Sequence, residues 1–368
     1  MQAETQDGRL LSLDWFRGLT IAGMILVNSP GNEHAYAPLE HAEWHGCTPT
    51  DLVFPFFLFI VGTAIVFSLA RRKESGAASL GPLFKRFAVL FGLGLLLNAI
   101  PNWHPASLRI LGVLQRIALC YMACALLFLK TGPRAQICAA VLLLAGYWLA
   151  LTRLPWPGHV TGDLSQQGCL ASMLDRFLLG PHTFHQGPFD PEGVLSTLPA
   201  VATTILGMLA GYWLRGPRTR PQKAWGLVIA GAAAAAAGWL WGLWFPLNKS
   251  LWTSSYALFT AGLACGTVAL CYWLADIKGW RAWGKPFEVL GVNAIAAYVL
   301  PILMLKALVY TRWPGLFGDV QPRVWLCGRV FGTWLSAVNA SLAFALCYVA
   351  LWTAVFWVFY RKRVFFKA

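Results

Sequence analysis

Long runs of apolar residues alternate with short polar connections along most of the chain. A helix needs roughly 20 apolar residues to cross the hydrocarbon core of a bilayer. The runs are continuous and do not alternate in hydrophobicity, and backbone groups inside lipid must be satisfied within the segment. We therefore predict an all-α, polytopic membrane protein forming a single domain over residues 1–368. About ten spans are predicted, at 16–30, 52–70, 84–100, 109–130, 135–152, 194–214, 224–245, 253–275, 287–308 and 333–360.

The charge of the chain follows the same pattern. Only 12% of the 368 residues are charged, although the formal net charge is +14. Basic residues lie in short clusters between apolar runs, as "RRK" at 71–73, "RGPRTRPQK" at 215–223 and "RKR" at 361–363. Such clusters are typical of cytoplasmic loops. They indicate contact with the lipid bilayer and not with nucleic acid, and they place both termini in the cytoplasm.

The opposite set of connections has a different character. It includes the longest connection, at about 153–193, and long connections without secondary structure are usually functional. We expect the chemistry of the protein on this outward face. All seven histidines fall there: His34, His41, His45, His104, His159, His182 and His185.

The outward stretch "LEHAEWHGCTPTDLVFPFFLFIVG", residues 39–62, combines histidines and carboxylates with the start of a span. Thr48 is predicted as a helix N-cap, with Pro49 in the first helical position and Asp51 bonding back in a capping box. A structural role therefore explains Asp51, and a catalytic role is the alternative. The cap would hold His41 beside a helix N-terminus.

Three interpretations of His41 and His45 are open on the residues alone. Their spacing suits a metal site if Glu40, Glu43 or another loop histidine supplies a third ligand, although no HExxH motif occurs. Solvated histidines at a membrane surface are the simplest alternative. The third is a general base or nucleophile, because a pKa near 6.5 suits proton transfer at neutral pH.

Further polar residues lie inside or at the ends of predicted spans. Asn28 ends the first span, and "RILGVLQRIALCY" carries Gln115 and Arg116 into the fourth. A buried arginine is costly and indicates function, and its guanidinium suits phosphate or carboxylate binding. In "DPEG", Asp190 is predicted to cap the sixth span with Pro191 following it.

Six segments together carry a resemblance to a known family. They resemble, in family order and over most of residues 11–300, the transmembrane acyltransferase family of the lysosomal heparan-α-glucosaminide N-acetyltransferase and its bacterial relatives. The segments are "LSLDWFRGLTIAGMILVNSPG", "HAEWHGCTPTDLVFPFFLFIVG", "LRILGVLQRIALCY", "DPEGVLSTLPA", "NKSLWTSSY" and "GVNAIAAYV".

The resemblance implies transfer of an acetyl group from cytosolic acetyl-CoA to the amine of a terminal glucosamine across the membrane. It also implies a bacterial inner-membrane location with a periplasmic outward face, and a homodimer like that of the lysosomal relative. No metal is implied. The family's active-site histidine matches His41, and its asparagine matches Asn28. The lysosomal enzyme has asparagine at the position of His45, so the resemblance assigns the chemistry to His41.

We therefore expect a catalytic set, a set for the phosphates of acetyl-CoA, and a set for the amino-sugar acceptor. Direct transfer with His41 as base and a covalent acetyl-His41 intermediate are both open. The alternative from another functional class is an amino-sugar or muropeptide transporter. The catalytic set is His41, Asn28 and Asp51; the acetyl-CoA set is Arg17, Lys85, Arg86, Gln115 and Arg116; the acceptor set is Trp44, Glu40, Glu43, Asp190 and Glu192.

Overall fold

The computed structural model describes residues 10–76, 79–101, 103–158, 160–311 and 314–366. This part of the chain is helical and contains no strand. The α-helices are α1 (Leu11–Asn28), α2 (Val53–Glu74), α3 (Gly81–Ala99), α4 (Val113–Lys130), α5 (Pro133–Arg153), α6 (Leu170–Leu179), α7 (Thr197–Arg215), α8 (Arg220–Trp241), α9 (Ser254–Tyr272), α10 (Lys285–Val292), α11 (Ala294–Tyr310), α12 (Pro314–Phe317), α13 (Pro322–Val330) and α14 (Ala337–Arg361).

Eight of the described helices are long and apolar enough to cross a membrane, which confirms the prediction of an all-α polytopic protein. They are α2 to α5, α7 to α9 and α14. The pair α10 and α11, which is bent by 87°, passes the same test only when taken together, and counting it as one span raises the number to nine. The pattern predicted about ten spans. The difference lies at α1, which matches the first predicted span but is less apolar because it carries Asp14 and Arg17.

Asn293 marks the bend between α10 and α11. Its side-chain Nδ2 donates to the carbonyl of Val364 at 3.2 Å, and its Oδ1 accepts from the backbone N–H of Phe366 at 2.9 Å. The amide thus joins the bend to the segment after α14. This contact explains how a polar residue is satisfied inside the predicted span at 287–308.

Two predicted features of the outward connections are corrected. The helix after "DPEG" begins at Thr197, so Asp190 is not its cap. Its carboxylate instead accepts the backbone N–H of Glu192 and of Phe184, each at 2.9 Å, and so shapes a turn. The long connection at 153–193 is also not without structure, because it contains α6 and two 3-10 turns.

Helix α2 lies at the centre of the bundle and packs against α1, α4, α7 and α9. Its contact with α7 is close: a Cβ atom at Gly62 would lie 1.9 Å from the carbonyl oxygen of Thr204, and one at Gly207 would lie 2.0 Å from that of Phe59. Small residues permit such close approach of helices in membranes. The packing fixes the position of α2. Residues 39–48, which carry His41 and His45 and which we call the histidine segment, lead into its beginning.

Candidate active site

His41 and Asp51 form a hydrogen-bonded pair just before α2. Nδ1 of His41 lies 2.7 Å from Oδ1 of Asp51, whose side chain is buried, whereas half of the His41 side chain is exposed. An ionised carboxylate only accepts hydrogen bonds, so Nδ1 carries the proton in the neutral ring. The second ring nitrogen, Nε2, then has a lone pair and is the basic atom of the pair.

The same Asp51 carboxylate also begins the helix. Its Oδ2 accepts the backbone N–H of Thr48 at 3.0 Å and that of Ala42 at 3.2 Å. The predicted capping box at Thr48 and Asp51 is present, in a 3-10 turn over Pro49–Leu52 that leads into α2. The structural and the catalytic interpretation of Asp51 therefore do not compete, because one oxygen serves the helix and the other serves His41.

Lys249 completes this group from a distant part of the chain. Its Nζ lies 3.0 Å from Nδ1 and 3.1 Å from Nε2 of His41, and 3.7 Å from Oδ1 of Asp51. The two ring nitrogens direct their in-plane groups apart, so one amine cannot bond well to both. Burial lowers the pKa of Lys249, while the charges of Asp51 and Glu192 oppose this effect. Lys249 thus places an amine with a lowered pKa beside the imidazole.

The loop after α8 positions Lys249. Oδ1 of Asn248 accepts the backbone N–H of Leu251 at 2.8 Å, and the backbone N–H of Gly46 donates to the carbonyl of Leu247 at 2.7 Å. Trp252 is fully buried with φ of 51°, which is unusual for a bulky residue. Its indole N–H donates to Oγ1 of Thr203 at 3.1 Å, which ties the loop to α7. The loop is therefore held against the histidine segment.

His45 lies away from the reactive group. Its Nδ1 is 3.4 Å from Nδ2 of Asn248, whereas His41 contacts Asp51. Burial lowers the pKa of His45, so its neutral form is favoured. Within the described ranges, no three His, Cys, Asp or Glu side chains are arranged to hold a metal ion. The two histidines thus have separate partners and do not act as a pair.

A cavity of about 420 Å³, which we call the His41 cavity, brings several predicted residues together. His41, Asp51 and Lys249 lie in its wall. The indole N–H of Trp44 donates to the carbonyl of Leu164 at 2.8 Å, so one edge of this ring is fixed by the long connection. Among the residues predicted from the sequence, the cavity is also lined by Asn28, Glu43, Trp44 and Glu192.

Glu192 reaches this cavity through an ion-pair cluster with Arg109 and Asp190. Arg109 holds Asp190 with two hydrogen bonds, of 3.1 and 2.6 Å, and contacts Glu192 at 2.5 Å. Burial opposes the charge of Arg109, but the two carboxylates raise its pKa above its usual range. Glu192 and Arg109 line the cavity, whereas Asp190 lies behind them and orients Arg109.

A second cavity, the Arg86 cavity, lies among α1, α2, α3, α4 and α11 and has a volume of about 390 Å³. It is lined by Arg17, Ser68 and Arg86. The guanidinium of Arg86 lies 4.6 Å from the Tyr121 ring centre. Its buried Nε has no hydrogen-bond partner among the described residues. A buried N–H without a protein partner is satisfied by an ordered water or by a ligand.

Phe57 and Tyr298 separate the two cavities. Both residues line the His41 cavity and the Arg86 cavity. Their ring centres are 6.4 Å apart and the rings meet edge to face at 86°. The pair therefore forms a wall that the two cavities share.

Three residues of the predicted acetyl-CoA set lie elsewhere. Lys85 is exposed and Gln115 is buried against Gly94 and Gly112, and neither lines the cavities described above. Arg116 is buried in packed protein, where its Nη2 donates to the carbonyl of Gly193 at 3.0 Å. Arg116 thus joins α4 to the segment just before α7 and lines neither the His41 cavity nor the Arg86 cavity, and its buried Nε and Nη1 have no hydrogen-bond partner among the described residues.

Sequence reasoning did not single out Lys249 or Arg109. A lysine in a connection that the basic clusters place outside is unusual, and this was the available signal for Lys249. Arg109 was assigned to the beginning of a predicted span, whereas α4 begins at Val113 and Arg109 lies in the preceding loop. Its role depends on Asp190 and Glu192, which lie 81 and 83 residues away in the chain.

Comparisons with known proteins agree with this arrangement. The family profile described as "Heparan-alpha-glucosaminide N-acetyltransferase, catalytic" matches residues 9–240, which include His41, Asp51 and Glu192. The human and mouse proteins named heparan-alpha-glucosaminide N-acetyltransferase are each 30% identical to the chain over 424 aligned residues. Each alignment covers 98% of this chain and 60% of the relative. The chain thus spans about 60% of the length of these curated relatives.

Proposed function

The chain belongs to the heparan-alpha-glucosaminide N-acetyltransferase family, and we propose that it is itself a transmembrane N-acetyltransferase. In this proposal an acetyl group moves from acetyl-CoA to the amine of a glucosamine-type sugar. The observation that carries it is the pair of His41 and Asp51 on the wall of a cavity, in which Nε2 of the imidazole is the unprotonated nitrogen and lies 3.1 Å from Nζ of Lys249.

His41 prepares the acceptor. An ammonium group has no lone pair, so the acceptor releases one proton to solvent and reacts as the neutral amine, which must lose a second proton as the new C–N bond forms. Nε2 of His41 takes that proton, and Asp51 stabilises the imidazolium that results through the bond to Nδ1. A positioned general base of this kind contributes roughly 10²–10⁴-fold to the rate. Asp51 is the positioning residue in this step, since it touches only the imidazole and the protein.

The carbonyl oxygen of the donor becomes negative as the amine attacks. Asn28 lines the same cavity as His41, and no hydrogen bond of its side chain occurs within the described residues. Its amide is available to donate to the oxyanion, and the ammonium form of Lys249 adds a positive charge. The new C–N bond forms as the C–S bond breaks. The sulfur leaves as a thiolate, which is an adequate leaving group because a free thiol has a pKa near 8.5. His41 then returns its proton to this sulfur.

The Arg86 cavity suits the donor. The pyrophosphate and 3′-phosphate of acetyl-CoA require cations, and arginine binds phosphate through parallel N–H bonds. Arg17 and Arg86 line this cavity, and the free Nε of Arg86 fits an anionic ligand. The acyl arm would pass between Phe57 and Tyr298 to reach His41. We propose direct transfer, because half of the His41 side chain is exposed and can be reached by both a donor and an acceptor.

The location in the cell is part of the same proposal. The basic clusters at 71–73, 215–223 and 361–363 support a cytoplasmic side opposite to His41. We propose a bacterial inner membrane with the acceptor on the periplasmic side. The homodimer stays a prediction.

One experiment tests the proposed function. The protein, purified into lipid nanodiscs, is incubated with acetyl-CoA and a panel of amino sugars, and products are identified by mass spectrometry. We expect an N-acetyl sugar and an equal amount of free CoA. Uptake of an unmodified amino sugar by proteoliposomes, without acetylation, would instead establish the transporter alternative.

A further inference from the structure

The side chain of Lys249 presents its amine to the base of the site. Its Nζ lies 3.1 Å from Nε2 of His41, the ring nitrogen that carries the lone pair when Nδ1 is bonded to Asp51. An N–H of Lys249 therefore donates to the atom that takes the proton of the acceptor in the proposed reaction. The amine of this lysine thus lies where the amine of a bound amino sugar has to lie.

The carboxylate of Asp51 does not hold this amine in a close ion pair. Nζ of Lys249 is 3.7 Å from Oδ1 of Asp51, which exceeds the usual length of a hydrogen bond. Oδ1 is bonded to His41, and Oδ2 accepts from the backbone N–H groups of Thr48 and Ala42. The carboxylate thus directs its hydrogen bonds to the imidazole and the backbone. The ring nitrogens of His41 are the nearest described partners of Nζ, at 3.0 and 3.1 Å.

The amine of Lys249 is suited to react as a nucleophile. Burial lowers its pKa from the ordinary value of 10.5, while the charge of Asp51 opposes this effect. A larger fraction of this amine therefore has a free lone pair at neutral pH than in an unperturbed lysine. The side chain is 22% exposed and lines the His41 cavity, so it borders the space in which the acetyl group has to arrive.

We propose that Lys249 is acetylated by its own active site when acetyl-CoA is bound and no sugar occupies the His41 cavity. This inference rests on the proposed acetyltransferase function, because it uses the same donor and the same base. The ammonium form first releases one proton to solvent. Nζ then attacks the thioester carbonyl, the C–N bond forms and the C–S bond breaks. His41 takes the second proton from the nitrogen and returns it to the sulfur, so the products are acetyl-Lys249 and free CoA.

This modification limits the activity of the enzyme. Acetylation removes the positive charge that Lys249 contributes beside the oxyanion, and the added acetyl group fills part of the His41 cavity. An amide is a far poorer acyl donor than a thioester, so the acetyl group stays on the lysine. A bound sugar places its own amine at Nε2 of His41 and so protects Lys249. The site therefore loses activity when the donor is present and the acceptor is absent.

The test measures acetylation of the whole protein in nanodiscs of phosphatidylcholine. The protein is incubated with isotope-labelled acetyl-CoA without sugar, and peptide mass spectrometry follows Lys249. Labelled and unlabelled acetyl groups are both counted, so that groups added in the cell are included. We expect the occupancy of Lys249 to rise while transfer activity falls in parallel. Glucosamine acceptor at about ten times its dissociation constant should slow the labelling roughly tenfold by mass action.

The exposed residue Lys85 is the internal control, because it reports acetylation without a catalyst in the same sample. Lys249 should be labelled roughly 10²-fold faster than Lys85 or more, since a positioned base assists only Lys249. His41→Ala should remove this advantage and leave the labelling of Lys85 unchanged. Lys249→Arg keeps a positive charge without the reactive amine, so whatever activity it has should not decline during incubation with acetyl-CoA. The labelling of the wild type decides the question if this variant is inactive.

The outcomes separate this inference from the proposed function. A wild type that acetylates the sugar but carries no more label on Lys249 than on Lys85 would overturn the self-acetylation and leave the acetyltransferase intact. Equal labelling of Lys249 in the wild type and in His41→Ala would show an uncatalysed reaction, and would also overturn it. Absence of the acetyl group from both the lysine and the sugar would overturn the proposed function, and this inference with it.

Discussion

Nδ1 of His41 lies 2.7 Å from Oδ1 of Asp51, the residue that also forms the capping box of the turn before α2. The imidazole is therefore oriented by the same side chain that begins the central helix. Small changes at this helix end would move the imidazole of His41 relative to the cavity that it lines. This coupling explains how the side chain of a loop residue can be held in a defined orientation without being buried itself.

His41→Ala should abolish acetyl transfer while leaving acetyl-CoA binding intact. The lost general base lowers turnover by at least roughly 10²-fold, and the half-exposed side chain leaves little packing to lose. Turnover and binding of a non-hydrolysable acetyl-CoA analogue are measured on the same preparation. The control is His45→Asn, which should keep turnover because His45 lies outside the two cavities described. Full activity in His41→Ala with loss in His45→Asn would show that the other histidine is the base.

Asp51→Asn should lower both turnover and stability. An amide can present its oxygen either to the backbone N–H groups of Ala42 and Thr48 or to Nδ1 of His41, but not to both sides. We expect turnover to fall roughly 10²–10⁴-fold, by loss of the base orientation, and the unfolding free energy to fall by about 1 kcal/mol. Kinetics and thermal unfolding are compared with Thr48→Ala, which removes the hydroxyl bonded to the Glu40 carbonyl and to Oδ2 of Asp51 but keeps the Asp51 carboxylate beside His41. A turnover loss of equal size in Thr48→Ala would assign Asp51 a purely structural role.

Arg86→Ala should weaken acetyl-CoA binding by roughly ten- to a hundredfold, since a charge-assisted bond to phosphate contributes about 1.5–3 kcal/mol. The neighbouring Lys85 is a matched control of the same charge, because it is exposed and does not line the Arg86 cavity. Lys85→Ala should therefore leave the dissociation constant within about twofold. Affinity is measured by calorimetry in nanodiscs. Equal effects of both substitutions would indicate only general attraction by positive charge.

Low pH should destabilise the protein partly through His45. Burial lowers the pKa of His45 from its ordinary value of 6.5, so the unfolded chain takes up this proton at a higher pH than the folded one. Stability is therefore lost as the pH falls through 6.5 toward the lowered pKa. His45→Asn has no such proton to gain. Between pH 7.5 and 5, the melting temperature of the wild type should therefore fall more than that of the variant. Equal falls would contradict the effect of burial on His45.

The orientation in the membrane can be checked by cysteine labelling. Ser75 follows α2 beside the basic cluster at 71–73, and Ser165 lies in the long connection at 153–193. On a background without native cysteines, a membrane-impermeant maleimide should modify Ser165→Cys in intact cells. It should modify Ser75→Cys only after the membrane is opened. The reverse pattern would invert the proposed topology.

Local chemistry in the sequence was sufficient for part of the site. The capping box of Thr48 and Asp51 was predictable because a cap depends on residues three positions apart. The same is true of the approximate spans, which follow from continuous apolar runs. The placement of His41 beside a helix start also followed, since only a short segment separates it from Thr48. Its chemical role came from the family resemblance and not from these residues alone.

Only the tertiary structure decided which charged residues share the site. Lys249 lies 208 residues from His41 in the chain. No local pattern encodes such a contact. Arg86 and Arg116 both belong to the predicted acetyl-CoA set, and both lie in helices. Arg86 lines a cavity, whereas Arg116 is buried and bonded to the carbonyl of Gly193, just before α7. The difference arises from how neighbouring helices are rotated against each other, which depends on packing of the whole bundle and not on the residues nearby in sequence.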